Sequence, residues 1–156
     1  MTTIQTSLAA PLYGATFPQA ISRFFRKYAT FSGRASRSEY WWWVLANMLI
    51  AVAFNLVGSL TDSQWESRPV DFLSPFASGT GLPLASPAGV LFLIYALGII
   101  IPALALTWRR LHDVDRSGAW FFIIFVPLVG AIVLFVFTLL GARPAGARFD
   151  EQYRQP

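Results

Sequence analysis

Nine ionisable residues in two short segments are the side chains of this sequence with the clearest capacity for chemistry. Together they can form internal ion pairs, bind a phosphate through arginine forks, or do acid–base work. Internal pairing is favoured, because a charge close to hydrocarbon is costly unless it is partnered. Contact with anionic lipid headgroups is the next reading. The nine residues are Arg34, Arg37, Glu39, Arg109, Arg110, His112, Asp113, Asp115 and Arg116.

Catalysis and metal binding have weaker support in the sequence. His112 with Asp113 or Asp115 could form an oriented base, but no Ser, Cys or Lys nucleophile stands in a matching motif. A single histidine with these carboxylates and Glu39 lacks the ligand spacing of a metal site, and the chain contains no cysteine. We therefore assign no catalytic residue, no metal and no cofactor, and a non-enzymatic role is favoured.

Long apolar stretches adjoin both charged segments. Residues 41–60, 88–108 and 120–140 each lack a charged side chain, and about 20 helical residues cross a hydrocarbon core of about 30 Å. The chain is 55% hydrophobic and only 13% charged, whereas soluble domains carry about 25% charged residues. The sequence predicts an all-α integral membrane protein with three transmembrane helices, kinked at Pro102 and near Pro127 and Gly130.

A short interfacial amphipathic helix is predicted before the first span, over residues 17–28. Ile21, Phe24, Phe25 and Tyr28 recur at helical spacing, with the basic residues elsewhere on the wheel. The alternative is a helix packed on another part of the protein. Residues 17–142 are expected to form a single membrane domain with a loop over 61–87, preceded by a mobile N-terminus (1–16) and followed by a polar tail (143–156). The run SRSE at residues 36–39 matches a capping box for the first span.

The distribution of Lys and Arg predicts the orientation of the chain. Five precede the first span, one lies in the first loop, three lie in the second loop and three lie in the tail. The positive-inside rule then places the N-terminus and the second loop in the cytoplasm of a multi-pass plasma-membrane protein. Three spans leave the tail outside, which conflicts with its three arginines.

Two long motifs in this chain resemble the signatures of a known family. The runs are FSGRASRSEYWW at residues 31–42 and RRLHDVDRSGAW at residues 109–120. They are similar to the bacterial domain of unknown function 805 family, small inner-membrane proteins of the YhaH type. The resemblance covers roughly residues 20–150, and Pro127 and Gly130 match a Pro–Gly pair in the family's last span. In the tail, Ala147 and Asp150 stand where the family usually carries Asn and Gly. The resemblance implies a bacterial inner-membrane location and a few-helix fold, and it implies no reaction.

The sequence therefore favours a small inner-membrane protein that acts as a structural or interaction module. Its expected partners are the lipid bilayer and anionic lipid, with self-association into a homo-oligomer as a further possibility and no nucleic acid. One alternative is a subunit of an oligomeric channel or transporter. A third reading is a membrane enzyme that acts on a phosphate-bearing lipid.

Overall fold

Helices are the regular elements of the computed structural model, which describes residues 10–61 and 87–150. The predicted all-helical fold is confirmed in these residues. Most of the predicted loop, residues 1–9 of the N-terminus and residues 151–156 of the tail lie outside them. The elements are α1 (Phe17–Arg26), α2 (Arg37–Thr61), α3 (Pro87–Asp113), a first 3-10 helix (Gly118–Phe125), α4 (Val129–Leu139) and a second 3-10 helix (Pro144–Phe149).

The helices α2 and α3 are each long and apolar enough to cross a membrane. The qualifying segments are Arg37–Gly58 and Gly89–Asp113, and only 17% and 33% of their most apolar windows are buried. The core helix of a soluble protein hides its apolar side chains, whereas here residues such as Leu49 and Leu97 are exposed. The helix α3 continues to Asp113, so the predicted second loop begins about one turn later than the sequence indicated.

The described residues fall into two compact units. The second unit is Val44–Ile100, and the first contains the described residues on either side of it. Within the second unit the Tyr95 hydroxyl donates a hydrogen bond of 2.7 Å to Asn47 Oδ1, which joins α3 to α2. All nine candidate site residues lie in the first unit.

The predicted third span, residues 120–140, does not form one helix. The first 3-10 helix ends at Phe125, and α4 begins only at Val129, after Leu128 has adopted a φ of +62°. Proline has no N–H to continue a helix, and a positive φ in a leucine breaks the helical path. Pro127 and Leu128 therefore produce a reversal of the chain where the sequence predicted a kink.

The two halves of this segment pack on each other as a helical hairpin. The rings of Trp120 and Phe137 meet edge to face with centroids 5.6 Å apart. A Cβ atom on Gly130 would lie 1.9 Å from the carbonyl oxygen of Ile123, so only glycine permits this approach. Each half is about 16 Å long, from eight residues at 2.0 Å or eleven at 1.5 Å, and this is about half of a 30 Å hydrocarbon core.

Both ends of the hairpin lie beside the end of α3. The Arg143 amide, just after α4, donates a 2.8 Å hydrogen bond to the carbonyl of Asp113. The tail thus returns to the charged segment from which the hairpin began. This geometry differs from the single crossing helix that the sequence predicted.

Candidate functional site

The first unit brings five of the nine predicted site residues together with four further side chains, in two groups. The Asp113 cluster consists of Tyr13, Arg34, Arg110, Asp113 and Asp150. The Glu39 cluster consists of Arg23, Lys27, Glu39 and Arg109. Four of these nine residues, namely Tyr13, Arg23, Lys27 and Asp150, were not among the candidates from the sequence.

Asp113 is the centre of the first cluster and is fully buried. Arg110 Nη1 lies 2.5 Å from Asp113 Oδ2, and the Tyr13 hydroxyl donates to Asp113 Oδ1 at 2.9 Å. Arg34 Nη1 is 4.0 Å from the same Oδ1. Burial and the hydrogen bond to this carboxylate raise the pKa of Tyr13 to about 12, so the phenol stays protonated and remains a donor.

Arg110 also binds the end of α4. Its Nε and Nη2 donate to the Thr138 carbonyl at 3.2 and 3.1 Å, and Nη2 contacts the Leu140 carbonyl. The last carbonyls of a helix have no partner within the helix, and they favour a nearby cation. One buried guanidinium therefore joins α3, Asp113 and the hairpin.

Asp150 in the tail is the main partner of Arg34. Arg34 Nε is 3.0 Å from both carboxylate oxygens, and Nη2 is 2.7 Å from Oδ2. This fork raises the pKa of Arg34 and gives the pair the geometry of a strong, directional hydrogen bond. Asp150, one of the two tail positions that depart from the family pattern, thus supplies a principal contact of the site.

His112 is used to attach the tail to the segment before α2. Its Nδ1 lies 3.0 Å from the Gly33 carbonyl, and because a carbonyl only accepts, this nitrogen carries the hydrogen. The ring stacks on Phe149 with centroids 4.0 Å apart, and the Phe149 carbonyl accepts from the Gly33 amide at 3.0 Å. In these contacts the imidazole has a structural role.

Gly146 allows the second 3-10 helix to approach α3. A Cβ at this position would lie 2.4 Å from the backbone oxygen of His112. We expect Gly146→Ala to lower the free energy of unfolding by about 1–3 kcal/mol and to speed proteolysis of the tail. Gly141→Ala is the matched control, because a Cβ there meets nothing within 4 Å. Equal melting temperatures of the two purified variants would contradict this docking.

The Glu39 cluster contains four buried charged side chains. They come from α1 and its C-cap, the first turn of α2 and the last turns of α3. Glu39 Oε1 accepts from the Leu12 amide at 3.1 Å and pairs with Arg23. Arg109 Nε donates to the Ala105 carbonyl at 3.2 Å. Arg109 Nη2 and Glu39 Oε2 are buried without a hydrogen-bond partner in the described part of the chain. Burial, together with the charges of Arg109 and Arg23, lowers the pKa of Lys27 to about 8.

The helix α1 buries basic side chains that the sequence prediction left on its polar side. Arg23 and its neighbour Phe24 are buried, as is the C-cap residue Lys27, whereas the apolar residues Phe25 and Tyr28 are 54% and 40% exposed. Phe24 stacks on Trp43 with ring centroids 3.5 Å apart, which attaches α1 to the first turns of α2. The helix is amphipathic as predicted, but the carboxylate of Glu39 draws part of its basic face inward.

Residues 10–16 lie across the start of α2. Ser36 Oγ accepts from the Glu39 amide at 3.2 Å and donates to the Leu12 carbonyl at 2.6 Å. Half of the predicted capping box therefore forms, while the Glu39 carboxylate is directed to Leu12 and Arg23. Beside these contacts is an open cavity of about 270 Å³. Its lining residues are Tyr13, Gly14, Ser36, Arg37, Ser38, Asp113 and Ala142.

The remaining three candidates, like His112, lie outside the two clusters. Arg37 is exposed at the rim of the cavity. Asp115 pairs with Arg148 Nε at 3.0 Å near the surface. The Arg116 guanidinium lies 5.4 and 5.7 Å from the ring centres of an aromatic pair in the hairpin. In residues 10–61 and 87–150, no three His, Cys, Asp or Glu side chains are grouped to hold a metal ion.

Comparison with known proteins identifies the family of the chain. Residues 28–151 match the family described as "Protein of unknown function (DUF805)". Inner membrane protein YhaI of Escherichia coli K12 is 38% identical over 112 residues, which cover 72% of this chain and 75% of the relative. Inner membrane protein YhaH of the same strain is 28% identical over 127 residues, covering 81% and 89%. No solved structure matches the chain. The protein therefore belongs to the DUF805 family of inner-membrane relatives, whose function is unknown.

Proposed function

We propose that this protein is a structural or interaction module of the inner membrane whose charge clusters act mainly as an internal latch. One observation carries the proposal: all four carboxylates in the described part of the chain, those of Glu39, Asp113, Asp115 and Asp150, pair with arginine. A carboxylate held by a guanidinium is poorly suited to proton transfer, whereas it is well suited to fixing chain segments. This latch consists of the Asp113 cluster and the Glu39 cluster. It joins the N-terminal segment, the start of α2, the end of α3 and the tail.

The location of the protein supports this role. Its relatives are named as inner membrane proteins, and α2 and α3 are apolar helices of spanning length. We further propose that these two helices cross the bilayer while the hairpin enters it and returns. Every Lys and Arg except Arg68 lies before α2, in its first turn, in the last two turns of α3 or beyond α3. The positive-inside rule places these parts of the chain, and the latch with them, at the cytoplasmic surface.

Conservative variants of the latch test the proposal. Arg34→Gln breaks the fork to Asp150, and we expect it to lower the free energy of unfolding by about 1–3 kcal/mol and to reduce protein abundance in membranes. Arg37→Gln is the matched control, because this neighbouring arginine is exposed. The measurements are thermal unfolding in detergent and quantitative blotting of membrane fractions. If Arg34→Gln behaved like Arg37→Gln in both, the latch would have no structural role.

The same approach separates the module from its alternatives. Loss of a cellular phenotype in Asp113→Ala or His112→Ala with unchanged abundance would favour an enzyme over a module. Ion flux into liposomes that appears only with the protein would favour a channel or transporter subunit.

A further inference from the structure

We propose that the Glu39 cluster is a binding site for a phosphate group that keeps one hydroxyl, as in inorganic hydrogen phosphate or the headgroup of phosphatidate. This inference rests on the membrane location proposed above, but it does not depend on the latch at Asp113.

The balance of buried charge is the first argument. Arg23, Lys27 and Arg109 are each at most 6% exposed, and the only carboxylate among them is Glu39, at 2%. Glu39 is paired with Arg23, and the other three described carboxylates are held by Arg34, Arg110 and Arg148. Lys27 and Arg109 therefore have no carboxylate of their own among the described residues. Unpaired charges in a water-poor site are costly, so this arrangement favours an added anion.

Unsatisfied hydrogen-bonding groups are the second argument. Arg109 Nη2 is a buried donor without an acceptor, and Glu39 Oε2 is a buried acceptor without a donor, in the described residues. Such groups cost free energy until they find a partner. A hydrogen phosphate satisfies both, since its oxygens accept from Arg109 and Lys27 while its hydroxyl donates to Glu39. A phosphodiester or sulfate lacks that hydroxyl at neutral pH and brings an oxygen lone pair against the carboxylate.

Electrostatics around Lys27 agree with an anion in this position. Burial and the charges of Arg109 and Arg23 lower its pKa to about 8, because the ammonium has too little negative charge near it. Glu39 and Asp150 act in the opposite direction, but both are engaged by other arginines. A bound phosphate supplies the missing negative charge and stabilises the protonated state of Lys27.

The source of the phosphate can be the membrane itself. The outer face of α1 exposes Phe17 and Phe25, and Tyr28 just beyond its C-cap is exposed as well. Amphipathic helices with such a face lie at the level of the lipid headgroups. The four charged side chains of the cluster are each at most 6% exposed, whereas a macromolecular partner would need an open surface.

The first experiment uses the unaltered protein in detergent, with thermal unfolding measured against anion concentration. Hydrogen phosphate is expected to raise the melting temperature in a saturable manner, as ligand binding to the folded state requires. Sulfate at equal concentration and ionic strength is the matched anion and is expected to have at least about tenfold weaker affinity, the value of one charged hydrogen bond. Equal effects of the two anions, or no effect of phosphate, would overturn the proposal.

The second experiment identifies the source and the residues. Protein is incubated with phosphatidylcholine vesicles containing phosphatidate or phosphatidylglycerol, and bound lipid is measured by native mass spectrometry. Retention of phosphatidate in preference to phosphatidylglycerol assigns the site to a lipid headgroup. Response to inorganic phosphate without phosphatidate retention assigns it to the free ion.

Paired variants on α1 and its C-terminal cap complete the test. Lys27→Gln is expected to weaken either ligand about tenfold or more, whereas Arg26→Gln, an exposed neighbour of equal charge, is expected to have little effect. Lys27→Gln removes a cation repelled by Arg109 and Arg23, so the unliganded fold should keep its stability. Unchanged binding in Lys27→Gln would refute the site, and this result would leave the Arg34→Gln test of the latch unaffected.

Discussion

Replacing Arg110 with methionine is expected to lower the free energy of unfolding by about 3–5 kcal/mol, the cost of stranding one partner of a buried ion pair. Asp113 would lose the guanidinium at 2.5 Å. The carbonyls of Thr138 and Leu140 at the end of α4 would lose their donor as well. The measurement is the thermal midpoint in detergent micelles, together with the amount of protein recovered from membranes.

An exposed ion pair provides the control for this prediction. Arg148 pairs with Asp115 at 3.0 Å, but its side chain is 63% exposed, and exposed pairs contribute at most about 1 kcal/mol. Arg148→Gln should therefore leave the midpoint almost unchanged. Adding Asp113→Asn to Arg110→Met should recover part of the loss, since asparagine removes the stranded charge and still accepts from Tyr13. Similar midpoints for Arg110→Met and Arg148→Gln would show that burial does not give Arg110 its importance.

Cysteine labelling is expected to place the N-terminal segment and the tail on the same side of the membrane. The chain contains no cysteine, so single cysteines at Ala29, Ser74 and Ala145 report their positions without background. Ala29 and Ala145 are exposed and precede α2 or follow the hairpin, and Ser74 lies between α2 and α3. A membrane-impermeant thiol reagent should label Ala29→Cys and Ala145→Cys in inverted vesicles and Ser74→Cys in spheroplasts.

The labelling distinguishes two topologies, because they place Ala145→Cys on different sides of the membrane. Three spans require Ala145→Cys and Ala29→Cys to react from opposite sides, whereas a returning hairpin requires the same side. Ser74→Cys serves as the internal control, because both topologies place it opposite Ala29. Labelling of Ala145→Cys from the side of Ser74 would mean that the hairpin geometry does not describe the protein in the bilayer.

The sequence predictions succeeded where a feature depends on neighbouring residues, and they failed where it depends on residues far apart in the chain. The spans predicted at 41–60 and 88–108 lie within α2 and α3, because length and apolar composition are local properties. The pairing of Arg110 with Asp113 is also local, being one helical turn apart. Arg34 and Asp150 are 116 positions apart, and no pattern in the chain links them.

Two further differences have the same origin. On a helical wheel Arg23 and Lys27 belong to the polar side of this segment, and the carboxylate that compensates the burial of Arg23 comes from Glu39 on another helix. The stretch 120–140 has the composition of a span, and Pro127 marks its interruption. Whether the chain then continues or turns back depends on which residues bind the end of the segment. Here Arg110 binds the carbonyls at the end of α4.

By itself, the sequence determined that lipid is the solvent of this protein, that three apolar stretches are long enough to span it, and that the charged residues collect at helix ends. These properties are sums over neighbouring residues, so they can be determined from the sequence alone. Only the tertiary structure decided which charges neutralise one another, that the last apolar segment folds back, and that two buried cations in its described part, Lys27 and Arg109, remain without a carboxylate. Ion pairing acts through space between atoms a few ångströms apart, and its partners here come from distant parts of the chain.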